Sequence, residues 1–126
     1  MTLQTDRPSW PRLRLRIHFG EAEMLGPGKA ELLERIARTG SIAAAGREMG
    51  MSYKRAWMLI ETLNAMFRAP LVESTRGGPG GGGAVLTETG QQVLALYRRI
   101  EAEAAEAGAG TLRGMQALLR DIPDGK

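Results

Sequence analysis

Residues 40–87 read GSIAAAGREMGMSYKRAWMLIETLNAMFRAPLVESTRGGPGGGGAVLT. Two helix-like segments meet at Gly50-Met51-Ser52. They are followed by Leu71-Val72-Glu73-Ser74-Thr75, a glycine run from Gly77, and Ala84-Val85-Leu86-Thr87. Ser41 suits an N-cap for a short helix with Ile42, Ala45 and Met49 on one face. Gly50 ends that helix, because a tight turn there favours positive φ. Ser52 caps the next helix, whose inward face is Ala56, Ile60, Leu63 and Phe67, before Pro70 forbids continuation. A helix pair followed by two short strands around a glycine loop is the layout of a winged helix-turn-helix.

The flanks fit that layout. Residues 1–11 carry Pro8 and Pro11 without periodicity and read as a flexible arm. From Arg12 the pattern alternates: Leu13, Leu15, Ile17 and Phe19 against Arg12, Arg14, Arg16 and His18. That predicts an eight-residue, half-buried strand with a basic outer face. Its arginines either contact phosphates or keep an exposed edge solvated, and the second reading is preferred. Gly26-Pro27-Gly28 opens a helix with Leu32, Leu33, Ile36 and Ala37 as apolar positions and Gly40 as its stop. After the wing, Thr87 or Thr89 caps a long helix with Val93, Tyr97, Ile100 and Ala104 in register. Gly108, Gly110 and Gly114 are expected to interrupt it before a short final helix through Leu112, Met115, Leu118 and Leu119. The fold class is therefore mainly α with a small β component: an N-terminal strand, a two-stranded wing and a long C-terminal helix. The division expected is an arm (1–11), a winged helix-turn-helix with its dimerisation helix (12–107), and a short helix and tail (108–126).

Composition narrows the function. The 126 residues include 43% hydrophobic positions, enough for one modest core, and only 5% aromatic ones. The core must therefore rest on Leu, Ile, Val, Ala and the seven methionines, of which Met49, Met51 and Met66 read as filler. Without cysteine there is neither a disulfide framework nor a thiolate metal site. Residues 1–11 do not read as a signal peptide and no apolar run approaches a membrane span, so a cytoplasmic location is expected. The net charge of +3 and pI of about 9.8 favour a polyanionic partner only weakly. Between Arg47 and Arg76, however, five Lys/Arg face three Glu. His18 is the single histidine, and no acid pair, nucleophile triad or metal cluster is legible, so neither an enzyme nor a cofactor is expected.

The first turn of the third helix reads Ser52, Tyr53, Lys54, Arg55. In a helix-turn-helix that turn enters the major groove. Lys54 and Arg55 can donate to phosphates or to guanine O6/N7, and Ser52 and Tyr53 can donate through hydroxyls. Two cations at a helix N-terminus oppose the macrodipole unless an anion compensates, which favours a functional over a merely solvated turn. Trp57 reads as a core or rim packing residue rather than a base contact. The seven residues 77–83 include six glycines, but a Walker A loop needs Gly-Lys-Ser/Thr before a helix, and here a strand follows. As a wing, the run brings backbone N–H groups near phosphates while Arg76 reaches toward the minor groove. The DNA-contacting set is Ser41, Ser52, Tyr53, Lys54, Arg55, Arg76, Gly77 and Gly78.

Across about Arg12 to Ala104 the chain resembles the N-terminal DNA-binding domain of the ModE family of molybdate-responsive transcriptional regulators. The likeness rests on Thr39-Gly40-Ser41-Ile42, on Met51 through Trp57, and above all on the glycine wing running into Ala84-Val85-Leu86-Thr87. The first two segments are also similar to the LysR-type helix-turn-helix. The resemblance implies a homodimer on double-stranded DNA with a palindromic operator, and a link to molybdenum or oxyanion metabolism. Full-length ModE proteins carry a C-terminal oxyanion-binding module that this chain is expected to lack. Direct molybdate sensing is then not expected, and pairing with full-length ModE-type regulators is one role open to a chain of this length. The alternatives are a protein-interaction winged helix without DNA affinity and a small molybdate- or metal-binding protein.

Overall fold

The computed structural model describes residues 10–75 and 83–120. The expected wing contacts Arg76, Gly77 and Gly78 lie outside them. Eight elements follow one another: β1 (Ile17–His18), β2 (Met24–Leu25), α1 (Pro27–Thr39), α2 (Ile42–Glu48), α3 (Tyr53–Met66), β3 (Val72–Thr75), β4 (Gly83–Leu86) and α4 (Glu88–Gln116). β1 pairs antiparallel with β2, and β3 with β4, as two separate two-stranded sheets. The mainly helical fold with a small β component is the expected one.

The core lies where α1, α2 and α3 meet. Leu32, Leu33, Ile36, Ala45, Ala56, Ile60 and Leu63 are fully buried there, closed over by Leu71, Ala84 and Tyr97. The apolar spacing of α1 accounts for its share, except that Ala37 faces solvent. Gly40 adopts φ 72° and stops α1, its N–H bonding back to the carbonyl of Ile36 at 2.8 Å. The Gly40 carbonyl then accepts from the Ala84 N–H at 2.9 Å, tying the wing to the α1–α2 corner. Met49, Met51 and Met66 pack at the edge of the core, as expected of filler. Beside this corner Arg35 and Arg38 both bond Glu48. Hydrogen bonds from Arg38 first and Arg35 second hold the Glu48 carboxyl below the usual carboxylate range.

Three expectations need correction. The eight-residue strand shrinks to Ile17–His18, because its partner Met24–Leu25 runs straight into Gly26-Pro27 and the start of α1. The alternation survives without a ladder: Leu13, Leu15 and Ile17 are half-buried while Arg12, Arg14, Arg16 and His18 face solvent. Phe19 turns outward instead of joining the apolar row and meets Phe67 edge-on at 6.2 Å. Finally, α4 is one unbroken helix of 29 residues, about 43 Å long. Gly108, Gly110 and Gly114 do not interrupt it. Five alanines between Ala102 and Ala109 and the pairs Arg98–Glu101 and Arg99–Glu103 favour helix there, offsetting about 1 kcal/mol per glycine.

Two glycines of α4 make the packing testable. A Cβ at Gly90 would lie 2.1 Å from the carbonyl oxygen of Leu71, a backbone atom that cannot step aside. A Cβ at Gly108 would meet nothing within 4 Å. Gly90→Ala should therefore destabilise by on the order of 1–3 kcal/mol. Gly108→Ala should stabilise by about 0.5–1 kcal/mol if residue 108 is interior helix. Denaturant titration reads both, and no gain at Gly108 would restore the two-helix reading.

Candidate nucleic-acid interface

The helix-turn-helix is built from caps and small residues. Ser41 Oγ accepts from the Ala44 N–H at 3.0 Å and starts α2. After seven residues Gly50 takes φ 73°, and the Met51 N–H returns to the Gly46 carbonyl at 2.9 Å. Gly46 is buried, and a Cβ there would sit 3.0 Å from Ala56 Cβ, so α2 and α3 cross at close range. Ser52 Oγ accepts from the Arg55 N–H at 3.1 Å and starts α3. Ser52 still has its own O–H to donate.

At about 100° per residue, α3 divides into a buried face and three outward ones. Ala56, Ile60 and Leu63 are buried. Lys54, Met58 and Glu61 are exposed opposite them. Tyr53 and Trp57 form the flank toward the wing, lining a hollow of about 190 Å³ with Ser41, Ser74, Thr75 and Gly83. Arg55 and Leu59 form the other flank, toward the N-terminal segment. Trp57, 36% exposed, occupies the rim position read from the sequence.

Ser41 and Tyr53 thus share one hollow, Arg55 lies on the opposite flank, and exposed Lys54 stands between them. The sequence did not single out Ser74, Thr75 or Met58, which is 55% exposed. Only their register, in β3 and one turn beyond Lys54, would have pointed to them. Among the described residues Lys54 and Arg55 form no ion pair, whereas Arg35, Arg38, Arg98 and Arg99 all do. No group of three or more His, Cys, Asp or Glu able to hold a metal occurs among the described residues. No described helix is long and apolar enough to cross a membrane.

The wing is held to α3 by one side chain. Asn64 Oδ1 accepts from the N–H groups of Leu71 at 2.8 Å and Val72 at 3.1 Å, and its Nδ2 donates to the Val72 carbonyl at 3.1 Å. The other end of the hairpin is tied by Thr87, whose N–H donates to Leu71 O and whose hydroxyl donates to Pro70 O. Thr87 Oγ1 also accepts from the Gly90 N–H and caps α4.

Residues 28–91, from the first turn of α1 to the first turn of α4, match the family described as bacterial regulatory helix-turn-helix protein, lysR family. The chain belongs to that family. It is 46% identical over 100 residues to the molybdenum-pterin-binding protein MopA of Rhodobacter capsulatus, covering 79% of this chain and 37% of that protein. Over 82 residues it is 48% identical to MopB of the same organism, covering 65% and 30%. Over 71 residues it is 46% identical to the DNA-binding transcriptional dual regulator ModE of Escherichia coli (strain K12), covering 56% and 27%. The chain spans about a third of the length of these relatives. The likeness to ModE regulators and to the LysR-type helix-turn-helix, read from the sequence, holds.

Because Asn64 alone satisfies both Leu71 and Val72, Asn64→Ala strands two N–H groups of buried residues. A loss on the order of 2–6 kcal/mol in denaturant unfolding is expected, at about 1–3 kcal/mol for each of the two unsatisfied donors. A loss below about 0.5 kcal/mol, the size of an ordinary surface substitution, would mean that the wing is held by other contacts.

Proposed function

We propose that this chain is a sequence-specific regulator of transcription that binds double-stranded DNA as a homodimer on a palindromic operator. The observation that carries this is the first turn of α3, capped by Ser52 and presenting Tyr53, Lys54 and Arg55 to solvent with neither cation ion-paired among the described residues. Lys54 and Arg55 would donate to guanine edges or phosphates, and Ser41, Ser52 and Tyr53 to phosphates through their hydroxyls. On the sequence reading Arg76, Gly77 and Gly78 add wing contacts to the backbone. The role is non-enzymatic and cytoplasmic.

A link to molybdenum is supported by the likeness to MopA and MopB, which are molybdenum-pterin-binding proteins. It concerns the circuit in which the regulator works. For the dimer, the second half of α4 supports a helix-to-helix contact. Its last turn carries Met115 in solvent, Leu118 and Leu119 follow it exposed just past the helix end, and Ala105 and Ala109 line a depression further back along the helix. The exposed Phe19, Leu96 and Ile100 make a second apolar patch nearer the core.

Arg55→Ala tests the reading at the base-contacting turn. Fluorescence anisotropy on the chain's preferred duplex should show a loss of about 1–3 kcal/mol and relaxed preference at one base position. An unchanged affinity removes Arg55 from the contact set. A wild-type chain whose affinity for every duplex is flat with salt would leave a protein-interaction domain in its place.

A further inference from the structure

The arginine row of the N-terminal segment is not used by the helix-turn-helix reading, and the fold gives it a location. Arg14 and Arg16 share a cleft of about 520 Å³ with Lys29, from the first turn of α1, and Arg55, from the first turn of α3. No aspartate or glutamate lines this cleft, and among the described residues none of its four cations is ion-paired. Elsewhere Arg35 and Arg38 of α1 and Arg98 and Arg99 of α4 are matched to Glu31, Glu34, Glu48, Glu101 and Glu103. Four like charges around one depression repel one another unless an anion enters.

The arginines are also placed rather than loose. Between them, the Leu15 carbonyl accepts from the buried Tyr97 hydroxyl at 2.6 Å, which fixes the segment against α4. The Arg16 stem lies on Gly26, where a Cβ would be 3.1 Å from Arg16 Cγ. Lys29 Nζ spends one donor on the Met24 carbonyl at 2.9 Å and keeps two. The start of α1 has no side-chain cap and no acid in its first turn, so its dipole adds to the same sign of field.

We propose that this cleft is a phosphate clamp for the DNA backbone, lying beside the groove that α3 enters. It rests on the reading that the chain binds DNA. The occupant is chosen by continuity: Arg55 belongs both to the cleft and to the α3 turn, so a duplex seated on α3 carries its next phosphates toward Arg14 and Arg16. Such contacts position the protein and add affinity without reading sequence.

The test compares wild type, R14Q/R16Q and the charge-matched R35Q/R38Q on α1, outside the cleft and the proposed dimer surfaces, using a random-sequence duplex and the preferred duplex across a salt series. R14Q/R16Q should lower the slope of log K against log salt by about 1.8 per copy bound, at about 0.9 per phosphate released. It should weaken both duplexes by the same factor, while R35Q/R38Q keeps the wild-type slope. Each single variant should give half the change, and these carry the test if the double variant loses its thermal midpoint. A wild-type slope in R14Q/R16Q, or an equal drop in R35Q/R38Q, overturns the clamp and leaves DNA binding standing. A wild type with no salt-dependent binding overturns both.

Discussion

One amide side chain holds the two halves of this domain in register. Asn64, near the end of α3, uses its oxygen twice and its nitrogen once to take up backbone groups of Leu71 and Val72, where the chain enters β3. The angle between the helix and the wing hairpin is thereby fixed by three hydrogen bonds instead of by apolar contact alone. The hairpin is closed from its other side by Thr87 on Pro70 and Leu71, and by Ala84 on Gly40. Those bonds make the hollow between Tyr53, Trp57 and Thr75 a fixed shape. A wing free to swing would spend binding energy on its own ordering.

Charge is sorted in the same molecule. Arg35 and Arg38 of α1 and Arg98 of α4 are taken up by carboxylates that tie α1 to α2 and α4 to α1. Those pairs are largely exposed, so each contributes little to stability. Their consequence is spatial: among the described residues Arg14, Arg16, Lys29, Lys54 and Arg55, around the starts of α1 and α3, carry no such pair. A net charge of +3 says little by itself. Its distribution in the fold says more.

The helices and turns were legible because each is marked by a residue with one physical job. Gly40 and Gly50 adopt the positive φ their positions require, and Ser41, Ser52 and Thr87 cap the helices they precede. The wing strands could be placed because turn residues separate two short β-prone runs. The failures share a cause, in that local signals were outvoted by neighbours. Three glycines suggested a break in α4, where alanines and ion pairs sustain the helix. Alternation suggested a long strand, where Pro27 leaves room for only two paired residues. At the candidate site, sequence placed the α3 turn but not its company. Nothing local to Arg14 or Arg16 says that they share a cleft with Arg55, because that proximity arises from the Tyr97–Leu15 bond across 82 positions.

The function proposed for this chain depends on its reading DNA sequence as a two-fold pair. Selection of bound duplexes from a random pool by the wild-type chain measures that directly. The expected result is a single enriched inverted repeat whose half-site centres lie about 34–36 Å apart, the spacing of two α3 helices in successive major grooves. Enrichment of no sequence, with retention indifferent to salt, would contradict it.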